Sequence, residues 1–325
     1  MTTSRPLRVG TRGSALALWQ TERIRHQLDA AGHPTERVEI RTTGDMVQDL
    51  PLSRIGSAAL FTRQIDEAML AGRIDIAVHS LKDLPTELPS GIAIAAIGAR
   101  EDPSDALVGR GPLRWTEIPS GAVVATSSLR RRAQLLHARP DLRTEDIRGN
   151  VDTRLAKLDA TQAWSGILLA AAGLLRLGLG HRIGERMSPD IMLPAPGQGA
   201  LAVTARADDA AAIAAARASV HHEPSALAVA AERAFLRRLE GGCQVPVAAH
   251  ASLESGSGGA TLRLHGRVIS LGGDRVAEGW ERGPVGSPEE AEGLGLSLAE
   301  RVLGEGAADI LAEVRGGVAP TVSEP

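Results

Sequence analysis

The chain has 325 residues, 43% of them hydrophobic, with 39 acidic and 36 basic side chains for a formal charge of −3. That length suits two or three domains, the apolar content rules out general disorder, and so balanced a charge gives no overall attraction to nucleic acid or anionic membrane. Two Phe, four Trp and no Tyr leave little for base stacking, and one cysteine excludes an intramolecular disulfide or a paired-cysteine metal or redox site. MTTSRPLRVG has no apolar signal core, and the longest apolar run, Gly166 to Leu175, is too short to span a bilayer. The expectation is a soluble cytoplasmic protein.

Leu7–Thr11 reads as a strand and LALWQTERIRHQLDAAG as a helix ending at Gly32. Arg37–Thr42 reads as a second strand, and Ser57–Ala71 as a helix with Phe61, Ile65 and Met69 four residues apart. Ile74–His79 is a short apolar strand. Ala122–Thr126 then leads into SLRRRAQLLHARP, Glu145–Arg148 into NVDTRLAKLDA, and Ile167–Ala171 is a buried strand. This alternation predicts α/β architecture with largely parallel sheets. Ala99–Ser104 (AREDPS) and Leu193–Gly199 (LPAPGQG) read as two crossings between lobes, the second leading into the strand Ala200–Ala205. Two lobes imply a cleft, and ligands of open α/β sheets sit at the carboxyl ends of strands. The final third changes character. Pro224–Leu239 reads as an Ala-rich helix closed by Gly241–Gly242, and VPVAAHASL and ATLRLHGRVISL as strands joined by SGSGG, where the flanking alternation favours a hairpin turn over an interdomain linker; Glu289–Arg315 reads as helical and VAPTVSEP as a frayed tail.

Three strand-to-helix junctions share a composition. They are Thr11-Arg12-Gly13-Ser14, Thr126-Ser127-Ser128-Leu129-Arg130-Arg131, and Arg148-Gly149-Asn150 with Thr153 and Arg154 just inside the helix. Each sets hydroxyls, free N–H groups and a guanidinium at a helix N-terminus, a combination that suits anions. N-caps and solvated salt bridges explain any one junction as well. Three at strand ends facing one cleft point to a ligand with several phosphates or carboxylates. No G-x-x-x-x-G-K-[ST] or G-x-G-x-x-G run is present, so a nucleotide is the poorer reading. All basic residues except Lys82 and Lys157 are Arg, a bias a GC-rich coding sequence explains; a retained Lys then marks a candidate site for a compact ammonium. Lys82 and Asp83 stand side by side after the strand ending at His79, where Asp83 also fits a plain turn residue. His79 reads as a packed histidine, and the adjacent His221 and His222 diverge, so no metal is assigned. Cys243, in Glu240-Gly241-Gly242-Cys243-Gln244-Val245-Pro246, is either a buried small hydrophobe or an exposed thiol serving as nucleophile or attachment point.

Taken in order, RVGTRGSALALWQ, DIAVHSLKDLP, ATSSLRRRAQL, DIRGNVDTRLAKLD, ILLAAAGLLRLGL, LPAPGQGALAV, VHHEPSALAVAAERAFLRRLEGGCQVPV and ADILAEV resemble the porphobilinogen deaminases (hydroxymethylbilane synthases) along nearly the whole chain. The resemblance implies two lobes like type II periplasmic binding proteins with an interlobe cleft, plus a smaller α+β C-terminal domain. The expected boundaries are 1–99 with 200–218, 100–199, and 219–325. It implies a transferase that condenses four porphobilinogen molecules head to tail on a covalent dipyrromethane cofactor, releasing ammonia each time and ending in hydrolysis to hydroxymethylbilane. It further implies a thioether at Cys243, catalysis by Asp83, and cofactor or substrate contacts from Arg12, Ser14, Phe61, Ser80, Lys82, Thr126, Ser127, Ser128, Arg130, Arg131, Arg148, Gly149, Arg154, Arg176 and Gln198. A monomer without nucleic-acid or membrane partner is expected. The chain departs from the family at Gly56-Ser57-Ala58-Ala59, where glycines and a lysine are common, and has Arg54 just upstream. The alternatives are an anion-binding, effector-sensing protein of the same two-lobed fold, which needs no cysteine loop, and a thiol-dependent transferase without the cofactor.

Overall fold

The computed structural model describes residues 5–42, 62–239, 245–256 and 259–317. Strand β1 (Leu7–Thr11) feeds helix α1 (Ala15–Ala30), whose buried Gln20, Ile24 and Leu28 recur every four residues and seat it on the sheet. There follow β2 (Thr35–Glu39), α2 (Arg63–Leu70), β3 (Ile76–Ser80), a 3-10 turn over Leu81–Asp83, and β4 (Ile92–Ile97). With β10 (Leu201–Arg206) they make a five-stranded sheet in the order β2-β1-β3-β10-β4. The second lobe holds β5 (Asp105–Val108), β6 (Val123–Ala125), α3 (Leu129–Ala138), β7 (Arg143–Glu145), α4 (Val151–Ala160), β8 (Trp164–Ala170), α5 (Ala171–Arg176) and β9 (Glu185–Arg186). Its sheet order is β7-β6-β8-β5-β9. Alternate residues of β5 serve opposite faces: Ala106 and Val108 pack with Leu155 and Leu158 of α4, while Leu107 packs with Leu135 of α3.

Each five-stranded sheet has one strand reversed. β10 runs antiparallel to β3 and β4, and β5 runs antiparallel to β8 and β9. These are the strands that the chain enters after crossing between lobes. Reversal therefore delivers each crossing to the carboxyl ends of the other strands: Leu201 pairs with Ser80, and Asp105 pairs with Ala170.

Helix α6 (Ala210–Val220) packs with α1 on the first sheet through Ala212, Ala216 and Val220. Helix α7 (Glu223–Arg238), strands β11 (Val247–Gly256), β12 (Gly259–Ile269) and β13 (Val276–Pro284), and helices α8 (Pro288–Val302) and α9 (Ala308–Gly317) complete the described chain. Their core centres on the fully buried Phe235, and a Cβ on Gly266 would lie 2.5 Å from its Cζ, so the strand must be bare there for the ring to fit.

Several elements differ from the sequence expectation. The strand expected at Arg37–Thr42 lies at Thr35–Glu39, and the one expected at Glu145–Arg148 lies at Arg143–Glu145. In the second case the ladder stops because the Ile147 N–H donates to Ser127 Oγ (2.9 Å) instead of to a neighbouring strand. The single helix expected over Glu289–Arg315 is broken, because Gly306 takes φ +108°, a conformation glycine adopts without strain. β4, β5, α5, β9, α6 and β13 have no counterpart in the sequence expectation, and Ala171, expected to end a strand, opens α5. Within the helix expected over Ser57–Ala71, positions 57–61 lie outside the described residues, as do Arg54, Gly56 and the Gly241–Gly242 helix end.

Glu232 of α7 ties both crossings to the C-terminal unit. Its fully buried carboxylate accepts from Arg100 Nη1 (2.6 Å) and Nη2 (3.2 Å), from the Gly197 N–H (2.7 Å) and from the Ala251 N–H of β11 (2.6 Å). Arg100 adds a bond from Nε to the Gln198 carbonyl (2.9 Å). Removing one partner of such a group leaves a buried charge and two N–H groups unpaired, which typically costs about 3–5 kcal/mol. Glu232→Ala is expected to lose stability on that scale in urea denaturation, whereas a loss within about 1 kcal/mol would show that the carboxylate does not tie the crossings.

Candidate active site

The floor of the cleft is built around Asp105, the first residue of the reversed strand β5. Its carboxylate is wholly buried and accepts from Arg130 Nη1 (2.6 Å), from Arg131 Nε (2.9 Å) and Nη2 (2.7 Å), and from Gln198 Nε2 (3.0 Å). Burial alone would raise its pKa; the two guanidiniums outweigh that and hold it well below the usual carboxylate range. Arg130 also donates to the Leu193 carbonyl (2.7 Å) and Arg131 to the Leu168 carbonyl (2.9 Å). Arg131 thus engages all three of its nitrogens, while the bonds of Arg130 to Asp105 and Leu193 both run through Nη1.

Gln198, fully buried in the second crossing, carries the network to the first lobe. Its Oε1 accepts from Lys82 Nζ (3.1 Å) and its Nε2 donates to the Pro103 carbonyl (2.8 Å). The Lys82 ammonium is pushed down to about 8, by desolvation first and then by Arg131, with Asp83 and Asp105 opposing. Asp83 follows it at the end of the 3-10 turn, half-buried, and its charge is felt by both Lys82 and Arg154. Arg154 of α4 donates Nε to the Gly149 carbonyl (2.8 Å) and is lowered to about 10 by burial, then by Arg131. Gly149 adopts φ +112°, and a Cβ there would lie 2.6 Å from Thr153 Cγ2, so the junction closes tightly only with glycine. Arg148 Nη1 is buried with no hydrogen-bond partner among the described residues. Five cations (Lys82, Arg130, Arg131, Arg148 and Arg154) thus surround two carboxylates. The site is set for anions.

The hydroxyls at the junctions largely serve the backbone. Ser14 Oγ accepts from the Ala17 N–H (3.4 Å) and Ser128 Oγ from the Arg131 N–H (3.4 Å), as N-caps; Thr126 Oγ1 accepts from the Ser128 N–H (3.2 Å). Ser127 Oγ donates to the Ile147 carbonyl (3.0 Å), and Ser80 Oγ accepts from Gln20 Nε2 (2.9 Å). Arg12 lies close enough to His79 to depress its pKa. Arg176 donates Nη2 to the Gly199 carbonyl (2.6 Å) and lies 5.9 Å from the Trp19 ring centroid, joining α5 of one lobe to α1 of the other. Phe61 and Cys243 lie outside the described residues. No motif in the sequence singles out Asp105 or Glu232. The only trace of Asp105 was a carboxylate opening the apolar run DALV, a costly place to bury a charge unless it is paired. Among the described residues no His, Cys, Asp and Glu cluster is placed to hold a metal, and no helix is long and apolar enough to cross a membrane.

Residues 7–214 match the family model described as "Porphobilinogen deaminase, dipyromethane cofactor binding domain", and residues 226–304 match "Porphobilinogen deaminase, C-terminal domain". The chain is 52% identical over 309 residues to the porphobilinogen deaminase of Rubrobacter xylanophilus, covering 95% of this chain and 97% of that one. It is 48% identical over 310 residues to that of Geobacter metallireducens, covering 95% and 94%. Among solved structures, the methionine binding protein MetQ is similar over 66% of this chain and 89% of its own, with a TM-score of 0.41 and 13% identity.

His79 shows how the lobe beneath the site responds to acid. It is buried, 3.1 Å from Thr204 Oγ1, and its pKa is lowered to about 4 by desolvation first and by Arg12 second. A histidine with an ordinary pKa near 6.5 when unfolded takes up its proton first in the unfolded chain, so stability falls as pH drops from about 6.5 toward 4. By pH 5 this contribution is on the order of 2 kcal/mol. Denaturation midpoints at pH 7 and pH 5 are expected to differ less in His79→Gln than in the parent protein; equal differences would show that His79 titrates normally.

Proposed function

The chain belongs to the porphobilinogen deaminase family, and from that premise we propose how its cleft performs the family's reaction. It is a transferase that joins four porphobilinogen molecules head to tail on a dipyrromethane cofactor, with loss of ammonia at each step and final hydrolysis to hydroxymethylbilane. The cofactor, when bound, supplies the pyrrole terminus to which the first substrate is joined.

Every pyrrole of this chemistry carries an acetate and a propionate, so cofactor and growing product are polycarboxylates. The described residues fit such a group: cations outnumber carboxylates on the cleft floor, and Arg148 Nη1 is a buried donor with no hydrogen-bond partner among the described residues. In our reading Arg12, Arg130, Arg148 and Arg154 bind the carboxylates, with Lys82, Ser14, Ser127, Arg176 and Gln198 around them. Arg131 acts by holding Asp105 and completing the positive field. Cys243 carries the cofactor through a thioether. Asp83 accepts hydrogen bonds from pyrrole N–H groups and faces the positive charge that develops on an incoming porphobilinogen as ammonia leaves. A fixed carboxylate at that position stabilises the transition state more than the ground state, because the cation exists only as the carbon–nitrogen bond breaks. The observation that supports the reading most is that the charge of Asp83 acts both on Lys82, its neighbour in the chain, and on Arg154 of the other lobe, where cations outnumber carboxylates.

We further read the chain as three domains, 1–99 with 200–218, 100–199, and 219–325, and the protein as a cytoplasmic monomer without nucleic-acid or membrane partner. The balanced charge and low aromatic content support the last two points.

Asp83→Asn tests the catalytic role. Asn keeps the size and a carbonyl acceptor, so the 3-10 turn is expected to persist and the protein to melt within a few degrees of wild type. Single-turnover ammonia release is expected to slow by about 10²–10³-fold, the usual loss when one preorganised electrostatic partner is removed. Early melting with wild-type ammonia release would make Asp83 a structural residue.

A further inference from the structure

We propose that Arg233 is a positioning residue that holds the Lys82–Asp83 turn in register with helix α7, the helix that leads to Cys243; this rests on the catalytic role given to Asp83 above. Arg233 Nη2 donates to the Pro85 carbonyl (2.8 Å) and to the Thr86 carbonyl (3.1 Å). Those two carbonyls follow Asp83 by two and three residues. On the same stripe of α7, Val229 shares a buried apolar cluster with Leu81 and Leu84, which flank Lys82 and Asp83, and Ala226 packs against that cluster. Residues 226, 229 and 233 are spaced by three and four, so one helix face meets the turn along two helical turns.

The neighbouring Glu232, rotated about 100° around the helix, grips both interlobe crossings. One helix thus reads the catalytic turn with one face and the hinge with the next, and its last residues lead within a few positions to Cys243. The guanidinium is set against main-chain carbonyls rather than a carboxylate, and burial lowers its pKa to about 10, with Arg237 lowering it further and Glu292 opposing. A desolvated cation used in this way gives little net stability. It does fix direction: one nitrogen bonded to consecutive carbonyls defines where the backbone after Asp83 must lie. Reaction rates depend on such placement, and a misplacement of about 1 Å by a residue remote from the reacting atoms can cost a hundredfold.

The test uses the holoenzyme with Arg233→Met, which keeps the stem and removes the donors, and Arg233→Lys, which keeps a donor. Intact mass is measured first, then melting, then kcat, KM and single-turnover ammonia release. Both variants are expected to carry the cofactor mass. Arg233→Met is expected to lose about tenfold to a hundredfold in kcat with KM within about twofold, and Arg233→Lys to recover most of it. Earlier melting with wild-type kcat overturns the proposal, as does a loss that Arg233→Lys does not relieve or a preparation of Arg233→Met without the cofactor mass. Asp83→Asn measured in parallel separates the two readings. Full activity there sinks the role of Asp83, whereas a slow Asp83→Asn beside a wild-type-like Arg233→Met sinks only the positioning role.

Discussion

The carboxylate of Asp105, buried between Arg130 and Arg131, is the interaction on which the cleft depends. Two guanidiniums only 5% exposed could not lie side by side without it, since like charges repel strongly where water is excluded. One carboxylate offsets part of their charge and fixes their geometry, yet leaves the floor positive. Burial first and Arg131 second lower the pKa of both Lys82 and Arg154, and burial is the main reason that of Arg131 is lowered, with Asp105 opposing and Arg130 adding to it. A site left short of negative charge in this way is ready for a ligand that brings several carboxylates.

Topology explains why Asp105 can stand there. A parallel strand begins at the end of the sheet away from the cleft; β5 is reversed, so its first residue sits at the mouth, opposite the last residue of β8. The second crossing ends the same way, with Leu201 opposite Ser80, and places Gln198 where it can reach Asp105 and Lys82 together. The polar network that joins the lobes is therefore made from the segments that connect them. Glu232 then fastens these segments to the C-terminal unit, so the α7 helix, the hinge and the floor share one set of buried hydrogen bonds.

Much of this was legible in the chain. Strand-to-helix junctions rich in Ser, Thr and Arg marked the mouth of the cleft, because caps and anion donors both gather at helix N-termini. LPAPGQG and AREDPS marked the crossings, because proline, glycine and charge interrupt periodic patterns. What was hidden depended on partners distant in sequence. Arg131 read as a ligand-binding residue, and only the fold shows three of its nitrogens on Asp105 and Leu168, 26 and 37 residues away. On sequence alone Ser14 and Ser128 are ligand contacts or caps; in the fold each Oγ accepts a backbone N–H, a capping bond that uses the oxygen and not the hydroxyl proton. The strand at Arg143–Glu145 was misplaced because a side chain, Ser127, ends the ladder, which no periodicity reports.

In the proposed function, the Asp105 lock holds the arginines where they capture a carboxylate-rich primer. The most direct test is intact-mass measurement of purified Asp105→Asn that still melts cooperatively. Wild-type protein is expected to carry the mass of two porphobilinogen units less two ammonia, and Asp105→Asn to come off without it. Full occupancy in Asp105→Asn, with wild-type turnover, would contradict the account.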